Sequence, residues 1–302
     1  MKPDSNRLVA IDAGVIVVIS AAICLAAHNL LFMSIFVPFI IAARLLLLYE
    51  LRNTEQLHFQ VEVVFLGFCA LLGAYNDYSS VCIKGIYDYT VPHFFSWSTI
   101  PLWMLLYWGM ILRMFARFAR WEALSPPDAT SNALGLGRWQ FNNPALKIGF
   151  MLALVFITRN QIYRHYLHPT WSWVPFLVAL LAYLAVCRPT RHDFTMMAVV
   201  LPVGPLVEML YINVGGLHRY HLGVAGGVPL WIILWWLLII LIWKDIALRL
   251  ETGLKILLVD KNYRNIIKGN PMDTQAKKNV ARSVLITGAS TGIGEACALH
   301  LA

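Results

Sequence analysis

Leu8–Ala27, LVAIDAGVIVVISAAICLAA, and Leu30–Tyr49, LLFMSIFVPFIIAARLLLLY, are separated only by His28 and Asn29. A helix of about 20 apolar residues crosses the hydrocarbon core of a bilayer. Two such runs joined by two residues predict a tight hairpin of transmembrane helices. Lys2 and Arg7 precede the first run, as they would in a secretory signal. Against that reading, Asp12 interrupts the run, Ala27 makes a poor cleavage site, and a second span follows at once.

The rest of the chain agrees with that opening. Of its 302 residues 59% are hydrophobic and 13% charged, with a mean hydropathy of +0.64. A soluble domain carries about 25% charged residues, so too few polar side chains remain here to cover a water-soluble globule. Eight apolar stretches are long enough to count as spans: 8–27, 30–49, 59–75, 97–118, 145–159, 171–187, 195–213 and 226–243. The expected fold is an all-α polytopic membrane protein of about eight transmembrane helices.

Lysine and arginine set the orientation. With the N-terminus inside, the inner side up to residue 191 holds eleven of them, among them Arg44, Arg52, Arg113, Arg117 and Arg188. The outer side holds four: Lys84, Arg159, Arg164 and Arg219. Nine more follow from Lys244 to Arg282. Both termini are therefore expected in the cytoplasm. The net charge of +8 serves orientation and contact with lipid headgroups rather than nucleic acid. Five cysteines form no CxxC pair, which argues against a disulfide framework or a zinc knuckle.

After residue 244 the pattern changes. Residues 245–282 form a basic, amphipathic connector and polar linker, and residues 283–302 begin something else. Ser283–Ile286 is a short β-branched run, Thr287–Gly294 reads TGASTGIG, and Glu295–Ala302 has helical composition. A strand, a glycine turn and a helix start are the parts of a phosphate-binding loop, with the anion at the helix N-terminus. VLITGASTGIGEACALHLA resembles the N-terminal signature of the short-chain dehydrogenase/reductase family over about the last twenty residues. The resemblance implies a truncated β-α start of a Rossmann-type domain, with Gly288, Ser290, Gly292, Ile293 and Gly294 contacting NAD or NADP. No tyrosine here has a lysine four positions on, so the family's Tyr-x-x-x-Lys pair is missing. A single strand and a few helical residues bury no core, so this fragment is expected neither to fold alone nor to bind the cofactor. It reads as the start of a longer fusion.

Ionisable residues inside spans are expensive and point to function or to pairing. Asp12 and Arg44 lie near the inner ends of the first hairpin and are placed to pair. Glu62 is one turn inside its span, within reach of the headgroups. Glu208 stands apart, in GPLVEMLYINVGGLHRYHLG, where Gly204 and Pro205 are expected to kink the seventh helix. An apolar setting favours the neutral carboxylic acid, which makes Glu208 a candidate proton donor with Tyr211, His218 and His221 beside it. Glu208, Gly215, Tyr220, Val228 and Pro229 faintly resemble a pattern of the carotenoid-biosynthesis membrane hydratases over about thirty residues. That resemblance implies protonation of a polyene or isoprenoid double bond by Glu208. The pairs His165-x-x-His168 and His218-x-x-His221 lack the spacing of desaturase histidine boxes and fall on the outer side, so no metal is expected.

Three functions follow. The first is the membrane module of an NAD(P)-dependent dehydrogenase acting on a lipid or isoprenoid, with the redox part missing here. The second is a membrane hydratase or lyase built on Glu208. The third is a non-enzymatic transporter or anchor, which paired broken helices would favour; the sequence shows one Gly-Pro break. Membrane lipids are the expected partners. Oligomeric state, substrate and the choice of NAD or NADP are not encoded in any motif present.

Overall fold

The computed structural model describes residues 5–124, 143–187 and 189–259. Each of the eight apolar stretches lies largely within a helix: α1 (Asn6–Ala26), α2 (Leu30–Leu51), α3 (Phe59–Asp77), α4 (Leu102–Phe118), α5 (Pro144–His165), α6 (Val174–Cys187), α7 (Arg191–Asn213) and α8 (Leu230–Val259). A π-helical turn, Tyr78–Ile83, continues α3. Two short strands, β1 (Tyr87–Tyr89) and β2 (His218–Tyr220), pair antiparallel. Six helical stretches are long and apolar enough to cross a membrane: Asn6–Ala26, Leu30–Leu51, Phe59–Ile83, Ala145–His165, Arg191–Asn213 and Leu230–Val259. The other two helices are shorter, α4 at 17 residues and α6 at 14. Large apolar side chains such as Leu25, Leu71 and Phe156 project fully from the helix faces. Such an exterior is costly in water and is compatible with a hydrocarbon surround.

Caps explain where several helices begin. The Ser5 side chain accepts from Leu8 N at 3.3 Å, and that of Asn29 from Phe32 N at 3.1 Å, so the hairpin turn also starts α2. Helix α7 begins four residues before the apolar stretch because Thr190 and Asp193 form a capping box. Helix α5 runs on through Arg159 and Arg164 to His165, since hydropathy marks the apolar part of a helix and not its end. Helix α4 starts only at Leu102, behind Pro101, so the sequence boundary at 97 is too early. Pro202 and Pro205 lie inside α7, which remains a continuous helix.

The chain divides into two compact units, Met1–Arg249 and Leu250–Ala302. The described part of the second, Leu250–Val259, is helical. The dehydrogenase-like motif at Gly288, Ser290, Gly292, Ile293 and Gly294 lies outside the described residues.

Within the first unit, α3 and α4 approach closely at two glycines. A Cβ on Gly73 would lie 2.3 Å from Trp108 Cβ, and one on Gly109 would lie 3.0 Å from Ala70 Cβ. Small residues let two helix backbones close up in this way. The contact seats Trp108 beside Asp77, one turn after Gly73.

Near the start of α1, charge is buried. Asp12 and Arg44 pair as expected, at 2.8 and 3.1 Å. Glu62 does not reach outward to headgroups, contrary to its expected role. It is buried and accepts from Arg44 at 2.5 Å and from Arg113 at 2.9 and 2.7 Å, while Arg117 bridges Asp12 at 2.5 Å and Glu62 at 3.2 Å. Four helices, α1 to α4, are tied by this network. In a low-dielectric interior an ion lacking such partners would cost several kcal/mol.

Candidate functional site

The β ribbon explains how the opposite end of the bundle is built. Side chains alternate along a strand, so in YDY and HRY the outer residues share one face. Tyr87 pairs with Tyr220 and Tyr89 with His218, while a half-buried Asp88 and an exposed Arg219 sit on the other face, 3.8 Å apart. Four aromatic rings thus form a single inward wall, with centroids 5.2–6.1 Å apart in tilted and edge-on pairs. Thr90 N donates to Leu217 O at 3.0 Å and the Thr90 hydroxyl to Gly216 O at 2.6 Å, which extends the join between the two segments.

Two buried carboxylates face this wall. Asp77, at the end of α3, accepts from the Tyr87 hydroxyl at 2.6 Å, the Tyr89 hydroxyl at 2.5 Å and the Trp108 indole at 2.8 Å. All its donors are neutral and its oxygens are satisfied. Burial, followed by the neighbouring Asp77 carboxyl, holds the Tyr87 and Tyr89 phenols well above the usual tyrosine range. Tyr220 is raised in the same way by burial and by Glu208. These phenols stay protonated and act as donors.

Glu208, on α7, is 8% exposed. Its Oε2 lies 2.9 Å from His218 Nε2, and the Tyr220 phenol faces the carboxyl within hydrogen-bonding reach. The Glu208–His218 approach is close but off the angle of a hydrogen bond. Neither atom has another partner of good geometry among the described residues. A buried carboxyl oxygen and an imidazole nitrogen left in this state stand ready for a proton or a ligand.

The space beside them is apolar and double. One cavity, of about 280 Å³, lies among α1, α4 and α7. A second, of about 380 Å³, lies among α3, α4, α5 and α8. Glu208, Tyr220, Tyr87, Trp108, Phe115 and Trp236 line both. The acid therefore sits at the junction. Val17 and Val203 line the first cavity and are 65% and 51% exposed, so that cavity opens sideways between α1 and α7. Gly204 lets Trp236 pack close here: a Cβ would come within 3.2 Å of the Trp236 ring.

The residues singled out in the sequence are only partly brought together. His218 meets Glu208. Tyr211 lines the first cavity with it, but its hydroxyl bonds to Ser20 at 2.7 Å and to Tyr107. His221 is exposed; its Nε2 lies 2.8 Å from Gly85 O and its ring packs on Tyr166, which fastens β2 to the loop before β1. His168 Nδ1 accepts from Thr170 N and Trp171 N in its own turn. Among the described residues, no group of three or more His, Cys, Asp or Glu side chains is arranged to hold a metal ion. Asp77, Tyr87, Tyr89 and Trp108 were missed. The alternation of YDY matching HRY was the one signal available, and alternation alone does not name a strand's partner.

Compared with protein-family models, curated proteins and solved structures, the chain matches none. The resemblances to dehydrogenases and hydratases therefore rest on the residues quoted for them.

Proposed function

We propose that this is a multi-pass membrane enzyme in which Glu208 protonates a carbon–carbon double bond of an apolar lipid or isoprenoid. In this reading all eight helices cross the bilayer and both termini are cytoplasmic, as an even count requires of a chain with its basic residues so divided. The observation that carries the proposal is the position of Glu208: buried at the junction of two apolar cavities, with its Oε2 2.9 Å from His218 Nε2 and in no well-formed hydrogen bond.

Substrate enters sideways from the bilayer and lies through both cavities, with its reacting bond at the junction. Glu208 gives its proton to one alkene carbon, forming a C–H bond and leaving a carbocation on the other. Tyr87, Tyr220, Trp108 and Trp236 present aromatic faces that favour such a cation. Water adds to the cation and surrenders a proton to the Glu208–His218 pair, which restores the acid. The net reaction is hydration; its reverse is the lyase reaction. General acid catalysis of this kind contributes about 10²–10⁴-fold.

The test uses the full chain in phosphatidylcholine nanodiscs with an acyclic isoprenoid polyene in D2O. Wild type is expected to place deuterium on carbon, and Glu208→Gln to lose at least about a hundredfold of that rate. No deuterium uptake by wild type, or full uptake by Glu208→Gln, would sink the proposal. The first result would leave a transporter or an anchor. The fusion reading, a membrane module tethering an NAD(P)-dependent dehydrogenase, is compatible with this chemistry and rests on residues 283–302 alone.

A further inference from the structure

A second polar patch borders the larger cavity, at Asn76, Ser80 and Arg159. Arg159 projects from α5 and is half-buried. Its guanidinium donates to Asn76 Oδ1, to the hydroxyls of Ser79 at 2.8 Å and Ser80 at 2.9 Å, and to the Tyr163 hydroxyl. Every one of these partners is neutral. Arg44 in the other cluster, by contrast, reaches two carboxylates.

The π-helical turn after α3 supplies the serines. Its wider winding sets Ser79 and Ser80 side by side, both anchored to Asn76 O at 2.9 and 2.7 Å. Extra-residue turns of this kind often mark functional positions. The Tyr163 ring lies 4.8 Å from Arg159 and 5.8 Å from Lys84, so two cations gather on it. A positive charge in a span without a counter-charge is expensive. A guanidinium is also the side chain best shaped to hold a carboxylate or phosphate in two prongs. Beside it the cavity wall turns apolar at Phe68, Leu72, Trp231 and Trp235.

We propose that the larger cavity binds a single-chain anionic amphiphile, with its phosphate or carboxylate head on Arg159 and its chain against the tryptophans of α8. The site stands whether or not Glu208 donates a proton.

The test is a tryptophan-fluorescence titration of the full chain in phosphatidylcholine nanodiscs. The probes are dodecyl phosphate, dodecanol and inorganic phosphate. Dodecyl phosphate is expected to bind at least about tenfold more tightly than dodecanol, from hydrogen bonds to a charged group. Arg159→Gln is expected to erase that preference while still binding dodecanol, which also reports that it is folded. The titration reads binding and not proton transfer, so failure of the Glu208 reading leaves this result untouched. Equal binding of dodecyl phosphate and dodecanol by wild type, or an undiminished preference in Arg159→Gln, would overturn the proposal. So would inorganic phosphate competing as well as dodecyl phosphate, which would make this a free-anion site. If Arg159→Gln does not fold, Arg159→Lys is expected to cut the preference severalfold by losing the two-pronged contact, and full preference in Arg159→Lys would count against it.

Discussion

Both ends of the bundle bury carboxylates, and they use them differently. At the end where α1 begins, Asp12 and Glu62 are held by Arg44, Arg113 and Arg117. At the ribbon end Asp77 is held by neutral phenols and an indole, while Glu208 Oε2 is left without a hydrogen bond between two cavities. Burial alone does not separate the two ends, since all four carboxyls are 8% exposed or less. What separates them is the identity of the partners and the presence of adjacent space. An acid saturated by arginines fixes helices; an acid beside a void is available for chemistry.

Four changes test that contrast. The largest effect is expected from Glu62→Gln, which removes the charge shared by Arg44, Arg113 and Arg117. Breaking one partner out of a buried pair costs about 3–5 kcal/mol, visible as a collapse of the thermal midpoint of the purified protein. A midpoint close to wild type would mean the network does not fasten the helices.

Alkaline pH is expected to act next, and at the other end. Tyr87, Tyr89 and Tyr220 have folded-state pKa values above the tyrosine value of 10.0. Their contribution is therefore fully present below pH 10 and is lost as pH rises from there through the raised values. Each contributes a slope of at most about 1.4 kcal/mol per pH unit in that window. Melts from pH 8 to 11 are expected to be flat and then fall, and Tyr220→Phe to shallow the fall. Equal slopes in the two proteins would contradict the burial of that phenol.

Glu208→Gln is expected to leave stability within about 1 kcal/mol of wild type, because Oε2 has no well-formed hydrogen bond to lose. A loss as large as that of Glu62→Gln would place Glu208 among the fastening residues. Smallest of all is Asp88→Asn. Its partner Arg219 lies 3.8 Å away and is exposed to solvent, so unfolding is expected to shift by less than about 0.5 kcal/mol.

The helices were legible because hydrocarbon imposes a length and a composition that any window of sequence displays. Their ends were less so: Arg159 and Arg164 look like a stop but lie within α5, and Thr190–Asp193 is a cap visible only once its geometry is known. Glu208 and His218 could be picked out because both lie in one short segment. Asp77, Tyr87 and Tyr89 could not, since they join Glu208 through a pairing between segments far apart in the chain. The Arg44–Glu62 contact was hidden for the same reason: pairing across helices depends on their rotation, which hydropathy does not report.

The ribbon also imposes an order on biosynthesis. β1 follows the third helix, yet its partner β2 follows the seventh. The first three helices can form as soon as they leave the ribosome, but the aromatic wall closes only after residue 220 has emerged. Contacts so distant in the chain form late. Nascent chains arrested before that point would hold their arginine network complete while Tyr87 and Tyr89 still waited for the strand that covers them.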